Sequence, residues 1–272
     1  MSPQRILAFT CWLFFACLLV IGCNQTNTPN SAITASPTSQ TTFLTISAAA
    51  SLKDALTAIK PIYNQVKPSV NLTYNFGSSG ALQQQIEQGA KVDVFISAAT
   101  KQIDALDQKG LLVDGTKRNL LTNQLVLIAP QNSTNISDFP DLTSPRVKKI
   151  ALGEPKSVPA GQYAQQVLTS LKIADKIKNK VVYAKDVRQA LNYVESGNAS
   201  AGLVYLSDAK STAKVKIITT APENSHSPIL YPIAVLKSSK NIDVAKDFEQ
   251  FLSSSNQAKN VFKKQEFAVV GN

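Results

Sequence analysis

The sequence has few of the residues that most catalytic and metal sites require. Its 272 residues include one histidine and three cysteines. A structural or catalytic zinc site normally uses several cysteine or histidine ligands, so this composition argues against bound zinc. A hydrolase with a serine nucleophile would need His226 as its base, and no acidic residue is evidently placed to orient that ring.

The three cysteines also limit disulfide chemistry. Cys11 and Cys17 lie inside an apolar N-terminal run, and Cys23 directly follows it. If this run is removed on export, Cys23 becomes the only cysteine of the mature chain. We therefore expect no internal disulfide and no thiolate metal site.

Residues 1–22 have the pattern of a secretory signal peptide. Arg5 is their only charge, and the largely apolar run 6–21 is shorter than the ~20 residues that a membrane-spanning helix needs. The run ends in Val-Ile-Gly-Cys at residues 20–23, which resembles a bacterial lipobox. This predicts cleavage before Cys23 and attachment of lipid to its sulfur. A plain signal peptide and an anchor helix are the alternatives.

Residues 23–42 read as a lipidated cysteine and a flexible tether. The segment is rich in Thr, Ser, Asn, Gln and Pro and contains no charged residue. A random coil of this length reaches about 25 Å, enough to hold a folded domain just off a membrane. We expect an exported lipoprotein, periplasmic or at the cell surface.

The net charge of +10 could indicate nucleic acid, a membrane surface or an anionic ligand as partner. The lysines are scattered, however, and no basic run is interleaved with aromatic residues. The leader also directs the chain out of the cell. We therefore predict no nucleic-acid partner and interpret the lysines as a solvated surface.

From Phe43 onward, predicted strands and helices alternate, which indicates an α/β fold with mostly parallel sheets and helices on both faces. Two apolar extended segments, 120–129 and 229–236, interrupt the alternation and are predicted to cross between two lobes. This predicts lobe I at 43–122 plus 226–272 and lobe II at 123–225. Ligands of open α/β sheets bind beyond the carboxyl ends of the strands, so we expect a ligand cleft between the lobes.

Four predicted helix starts share small or hydroxyl residues and need no charged side chain at the junction. They are Ser51-Leu52, Ser79-Gly80, Ala160-Gly161 and Asp186-Val187. A helix start carries free N–H groups and the positive end of the helix dipole, so it suits an anion. Each serine alone would be read as an N-cap, but the repetition in both halves favours a shared ligand.

Six motifs then occur in a characteristic order: 48–52 (AAASL), 77–79 (GSS), 93–98 (DVFISA), 158–164 (VPAGQYA), 186–191 (DVRQAL) and 202–208 (GLVYLSD). With these motifs the sequence resembles the periplasmic molybdate/tungstate-binding proteins of ABC importers, from about Leu44 to Phe267. The resemblance implies a two-lobed periplasmic-binding-protein fold of type II. It also implies an oxyanion bound between the lobes by hydrogen-bond donors alone.

The ligand-binding residues that the resemblance implies are Ser51 and Ser79 through hydroxyl and backbone N–H, Ala160 and Val187 through backbone N–H, and Tyr205 through its phenol. Such a site would reject HPO₄²⁻, whose own O–H would find no acceptor. Molybdate, tungstate and sulfate carry no proton near neutrality, so only cavity size could separate them. Beside Ser79 the sequence departs from the family pattern, because Gly77 and Gly80 replace commoner small or hydroxyl residues.

The resemblance implies a solute-binding protein that delivers molybdate or tungstate to an ABC permease. We expect it to be monomeric, without cofactor, without a bare metal ion and without enzymatic activity. A binder of sulfate or another tetrahedral oxyanion is one alternative. A secreted serine hydrolase is another, although Gly-Ser-Ser-Gly at 77–80 is not the Gly-x-Ser-x-Gly elbow. Asp93 is predicted to be a buried, hydrogen-bonded carboxylate and Asp186 a helix N-cap.

Overall fold

The structure, a computed structural model, describes residues 41–270. The predicted signal peptide, the lipidation site at Cys23 and the tether up to residue 40 lie outside the described residues. Within 41–270, none of the helices combines the length and apolar character needed to span a bilayer.

Eleven strands occur among the described residues: β1 (Thr42–Ala49), β2 (Val70–Gly77), β3 (Val94–Ile96), β4 (Arg118–Thr122), β5 (Leu125–Pro130), β6 (Ile150–Gly153), β7 (Val181–Ala184), β8 (Ala201–Tyr205), β9 (Val215–Thr220), β10 (Leu230–Val235) and β11 (Ala268–Val269).

The α-helices of the same region are α1 (Lys53–Val66), α2 (Ser79–Glu87), α3 (Thr100–Gln108), α4 (Pro159–Ser170), α5 (Ala174–Ile177), α6 (Val187–Glu195), α7 (Leu206–Ala209), α8 (Ile242–Ser254) and α9 (Asn256–Lys264). Short 3₁₀ turns lie at Ala50–Leu52, Phe139–Thr143, Lys178–Lys180 and Glu223–Ser225.

The strands form two sheets, and each sheet with its helices is one lobe of a two-lobed α/β fold. The sheet of lobe I has the strand order β11-β4-β10-β3-β1-β2, and the sheet of lobe II has the order β7-β6-β8-β5-β9. In lobe I, β1 lies next to the edge strand β2, with β2 and β3 parallel to it on either side. In lobe II, β6 runs parallel to both β7 and β8.

Both sheets are mixed, whereas the sequence predicts mostly parallel ones. Strand β10 runs antiparallel to β3 and β4, and β5 runs antiparallel to β8 and β9. The chain crosses between lobes from β4 to β5 and from β9 to β10, and neither crossing contains an α-helix. The chain leaves lobe I along β4 and returns along the adjacent β10, and it enters lobe II along β5 and leaves along the adjacent β9, so each of these pairs runs antiparallel.

The extended crossing segment predicted at 120–129 is two strands, because residues 123 and 124 divide it into β4 and β5. At the break, the side-chain carbonyl of Asn123 accepts a hydrogen bond from the backbone N–H of Gln124 over 2.8 Å. Asparagine competes with sheet pairing in this way by bonding to nearby backbone. The chain therefore changes sheets at Asn123 and Gln124.

Three helices end just before a glycine. Gly89, Gly110 and Gly197 come shortly after α2, α3 and α6, and their φ angles are 90°, 68° and 72°. These left-handed conformations suit a residue without Cβ and close the last helical turn. These three glycines thus mark the ends of their helices.

Helices α4 and α6 are fixed against the sheet of lobe II because one face of each is apolar and buried. In α6, Val187, Ala190, Leu191 and Val194 are buried at helical spacing, and the helix packs on β6 and β8. Helix α4 packs on the same two strands. Burial of these faces fixes where the N-termini of both helices point.

Candidate ligand-binding site

A small cavity of about 10 Å³ lies between the two lobes. Its lining is Ala49, Ala50, Ser51, Gly77, Ser78, Ser79, Ala98, Val158, Pro159, Ala160, Val187 and Tyr205. The structure thus brings together all five residues that are predicted from the sequence to bind the ligand. None of the lining residues carries a charged side chain.

Ser51 lies in the 3₁₀ turn Ala50–Leu52, between β1 and α1, and its side chain caps no helix. The N-cap of α1 is Leu52, so Ser51 does not take the N-cap position that its local sequence alone would suggest. The tighter 3₁₀ turn inserts one extra bend between strand and helix and moves the helix start past Ser51. The hydroxyl of the buried Ser51 lies 2.9 Å from the Tyr231 hydroxyl instead.

Ser79 is the first residue of α2, one position after the N-cap Ser78, and it is completely buried. Its side chain is therefore not the N-cap that the sequence suggests. Its hydroxyl oxygen accepts a hydrogen bond from the backbone N–H of Ala98 over 2.9 Å. Because that bond uses a lone pair, the hydroxyl proton of Ser79 remains available to a guest in the cavity.

Ala160 and Val187 contribute only backbone to the cavity. Ala160 follows Pro159 in the first turn of α4, and Val187 is the first residue of α6. N–H groups of a first helical turn have no intrahelical acceptor. The side chain of Asp186 accepts a hydrogen bond from the backbone N–H of Gln189 over 2.9 Å, which confirms Asp186 as an N-cap. The Asp186 side chain therefore caps the N–H of Gln189 and not that of Val187.

Tyr205 ends β8 and is 1% exposed. Its hydroxyl has no hydrogen-bond partner among residues 41–270. Burial raises the pKa of Tyr205 well above its ordinary value, so the phenol keeps its proton and stays a donor. An unsatisfied buried hydroxyl costs about 1–3 kcal/mol, so this one points to an acceptor that occupies the cavity.

The cation closest in sequence to the cavity residues, Arg188, is held by carboxylates. Its guanidinium pairs with Asp54 of lobe I and with Asp208 of lobe II, the latter at 2.7 Å. Asp208 is fully buried, and burial raises its pKa to about 7 despite the opposing effect of Arg188. Within the described part of the chain, no group of three or more His, Cys, Asp or Glu residues could hold a metal ion.

The two lobes touch directly beside the cavity. The backbone N–H of Gly80, in α2, donates to the carbonyl oxygen of Ser157, just before α4, over 2.9 Å. A Cβ at Gly80 would lie 2.6 Å from that oxygen. In the sequence, Gly80 stands out only because it departs from the family pattern. In the structure, a glycine is needed at this position because the two lobes approach each other closely there.

Asp93 and His226, the other residues considered from the sequence, do not line this cavity. The buried carboxylate of Asp93 accepts from the backbone N–H of Thr45 over 2.7 Å and from the Ser239 hydroxyl, which confirms it as a satisfied group. His226 lines two wider depressions near the β9–β10 crossing, and neither of these is lined by Ser79. The histidine and serine of the hydrolase alternative therefore line separate cavities.

Comparison with known proteins places this geometry in a family context. Residues 44–268 match a family model described as "Bacterial extracellular solute-binding protein". The chain is 44% identical over 253 residues to the "Putative ABC transporter substrate-binding lipoprotein YvgL" of Bacillus subtilis (strain 168), covering 93% of this chain and 94% of that protein.

Two further similarities extend the comparison. The chain is 39% identical to the "Molybdate-binding protein ModA" of Haemophilus influenzae over 215 residues, which cover 78% of this chain and 84% of that protein. Among solved structures, the "substrate binding domain of putative molybdenum ABC transporter from Clostridium difficile" is similar with a TM-score of 0.67 and 50% identity. That match covers 85% of this chain and all of the other.

Proposed function

The chain belongs to the family of bacterial extracellular solute-binding proteins, and from this premise we propose that it binds molybdate or tungstate and delivers the anion to an ABC transporter permease. One observation supports this most strongly. Five donor residues from two lobes line one uncharged cavity, and the phenol of Tyr205 has no acceptor there within the described chain.

We propose that lobe I comprises residues 43–122 plus 226–272 and that lobe II comprises 123–225. With this division, Ser51 and Ser79 belong to lobe I, whereas Ala160, Val187 and Tyr205 belong to lobe II. Hinge motion between the lobes would then open and close the site. The anion favours the closed state because only that state presents all five donor residues to it.

The electrostatics of the proposed site rest on peptide dipoles. Helices α2, α4 and α6 begin at the cavity, and each helix start is equivalent to roughly +0.5 charge, so together they supply about +1.5. The three hydroxyls complete the stabilisation of a dianion. A protonated phosphate is disfavoured because its O–H would meet donors only.

Several finer properties follow as parts of the same proposal. We propose an exported, monomeric carrier without catalytic activity, anchored to a membrane by lipid on Cys23. The Val-Ile-Gly-Cys sequence at 20–23 supports the anchor, as does the word lipoprotein in the name of the B. subtilis relative. Incorporation of labelled fatty acid into the wild type, and its loss in Cys23→Ala, would test this part.

Isothermal titration of the delipidated protein with molybdate, tungstate and sulfate in parallel tests the main proposal. We expect one-to-one binding of molybdate and tungstate, and weaker binding of the smaller sulfate. Tighter binding of sulfate would make the protein a sulfate carrier, since charge does not separate these anions. Failure of all three to bind would contradict the proposed function.

A further inference from the structure

Three polar side chains form a hydrogen-bonded row that ends at the cavity. The hydroxyl oxygens of Tyr231 and Ser51 are 2.9 Å apart, and the side-chain nitrogen of Asn123 lies 3.4 Å from the Tyr231 oxygen. Tyr231 is completely buried and is not itself among the residues that line the cavity. Ser51 is the one member of the row that faces the cavity.

The donor direction along this row follows from Asn123. Its side-chain oxygen accepts from the backbone N–H of Gln124 over 2.8 Å, so its NH₂ group faces the hydroxyls. One amide proton goes to the Ser207 hydroxyl at 2.8 Å and the other goes to Tyr231. An amide NH₂ only donates, so the oxygen of Tyr231 is an acceptor here.

The proton of Tyr231 is then free to point to Ser51. Among residues 41–270, the Ser51 oxygen at 2.9 Å makes a shorter hydrogen-bond contact with this hydroxyl than the Asn123 amide at 3.4 Å. In this arrangement Ser51 accepts from Tyr231, and its own proton is directed away from Tyr231. Because Ser51 lines the cavity, that proton is available to a guest.

We propose that Tyr231 and Asn123 are positioning residues that hold the Ser51 hydroxyl as a donor to the bound oxyanion. This inference rests on the proposed function, because it needs an anionic guest in the cavity. The row lowers the cost of binding, since the hydroxyl need not reorient when the anion arrives. Hydrogen bonds in series also polarise one another and strengthen the last donor.

Asn123 connects this row to the crossing between the lobes. It lies between β4 and β5, and its two amide protons go to Tyr231 in β10 of lobe I and to Ser207 in α7 of lobe II. Both acceptors are within reach of one amide in the arrangement that brings the lobes together. Correct orientation of Ser51 is therefore coupled to that arrangement.

The test is a double-mutant cycle with Tyr231→Phe and Ser51→Ala, read by titration with molybdate. Tyr231→Phe keeps the ring, which packs edge-on against Tyr205 and Phe267, and removes only the hydroxyl. We expect it to weaken binding by about 3–10-fold, the effect of losing one neutral hydrogen bond. In the Ser51→Ala background we expect the same change to alter affinity less than about 2-fold, because the row acts through Ser51.

A second pair of variants tests the direction of the row. Asn123→Asp offers Tyr231 an acceptor in place of a donor, which reverses both hydroxyls and turns a lone pair of Ser51 toward the anion. The exposed neighbour Gln124 provides the matched control, since Gln124→Glu adds the same charge one residue away. We expect Asn123→Asp to weaken binding by about 10-fold or more, and Gln124→Glu by less than about 3-fold.

Each outcome decides the proposal. An unchanged affinity in Tyr231→Phe, or an equal loss with and without Ser51, would overturn it, because the tyrosine would then act by packing or not at all. If the wild type binds sulfate and not molybdate, the proposed cargo is wrong and the same cycle is run with sulfate. If the wild type binds no oxyanion, the proposed function fails and this inference fails with it. Calorimetric melting of each variant verifies that it folds.

Discussion

The backbone N–H of Gly80 donates to the carbonyl oxygen of Ser157 over 2.9 Å, and this bond joins lobe I to lobe II beside the cavity. The contact depends on the missing side chain at Gly80, since a Cβ would lie 2.6 Å from the oxygen and 2.8 Å from the Cα of Ser157. Closure of the lobes and the identity of residue 80 are thus directly linked.

Gly80→Ala should weaken oxyanion binding without unfolding either lobe. The added methyl group meets backbone of the opposite lobe, and overpacking of this kind costs about 1–3 kcal/mol, which is about 5- to 150-fold in affinity. Titration calorimetry with molybdate measures the effect. Ser157→Ala is the matched control because it retains the carbonyl oxygen, and we expect it to bind normally. Equal affinities for Gly80→Ala and the wild type would show that this contact does not form in the complex.

Tyr205→Phe should have opposite effects on binding and on the stability of the free protein. Loss of the phenol donor weakens anion binding by about 1.5–3 kcal/mol, the range for a hydrogen bond to a charged group. The same change removes an unsatisfied buried hydroxyl, so the melting temperature without ligand should stay the same or rise.

Tyr63→Phe is a matched control for that variant. Tyr63 also has a buried hydroxyl without a partner in the described chain, but it lies outside the cavity. We expect it to change unliganded stability in the same direction and to leave affinity for molybdate unchanged. Differential scanning calorimetry with and without molybdate reads both variants. Normal binding by Tyr205→Phe would remove the phenol from the site.

Asp54→Asn should weaken binding modestly by removing the ion pair between Asp54 of lobe I and Arg188 of lobe II. Because the Asp54 side chain is 41% exposed, we expect a loss of about 0–1 kcal/mol, which shrinks further at high salt. Asp247→Asn is the control, since its pair with Lys67 lies at 2.7 Å within lobe I. A similar loss in both variants would mean that surface charge in general, and not the bridge between lobes, affects binding.

Asp208 should make the stability of the protein depend on pH. Burial raises its pKa from an ordinary value of 3.8 to about 7. The folded state therefore binds the proton more tightly than the unfolded state, and this stabilising contribution is lost as pH rises from about 4 to 7. The difference in melting temperature, wild type minus Asp208→Asn, should therefore decrease over this pH range and then level off. A difference that grows with pH would mean that the ion pair with Arg188 dominates over burial.

Local sequence patterns predict part of this fold and site well. Strand and helix periodicity and the glycine stops place most elements, and Asp186 is recognisable as an N-cap from its own neighbourhood. Ala160 and Val187 are different, because their side chains cannot donate a hydrogen bond to a ligand. Only the resemblance to a family identifies them as candidate ligand-binding residues. The 3₁₀ turn at Ser51 was not predictable, since the same residues suit a direct entry into the helix.

Contacts across long sequence separations account for the remainder. Tyr231 is 180 residues from Ser51, and its role depends on β10 lying between β3 and β4 in the sheet. The mixed sheets were missed for the same reason, because pairing direction depends on how the chain crosses between lobes. Gly80 carried a signal, namely a glycine at a helix start without positive φ, but its partner Ser157 lies in the other lobe.

A crystal structure of the molybdate complex tests the central claim most directly. We predict that the oxygen atoms of the anion lie within about 3.2 Å of the hydroxyls of Ser51, Ser79 and Tyr205 and of the backbone nitrogens of Ala160 and Val187. Arg188 should remain paired with its two carboxylates. A lysine or arginine side chain in contact with the anion, or an anion bound outside this cavity, would contradict the account.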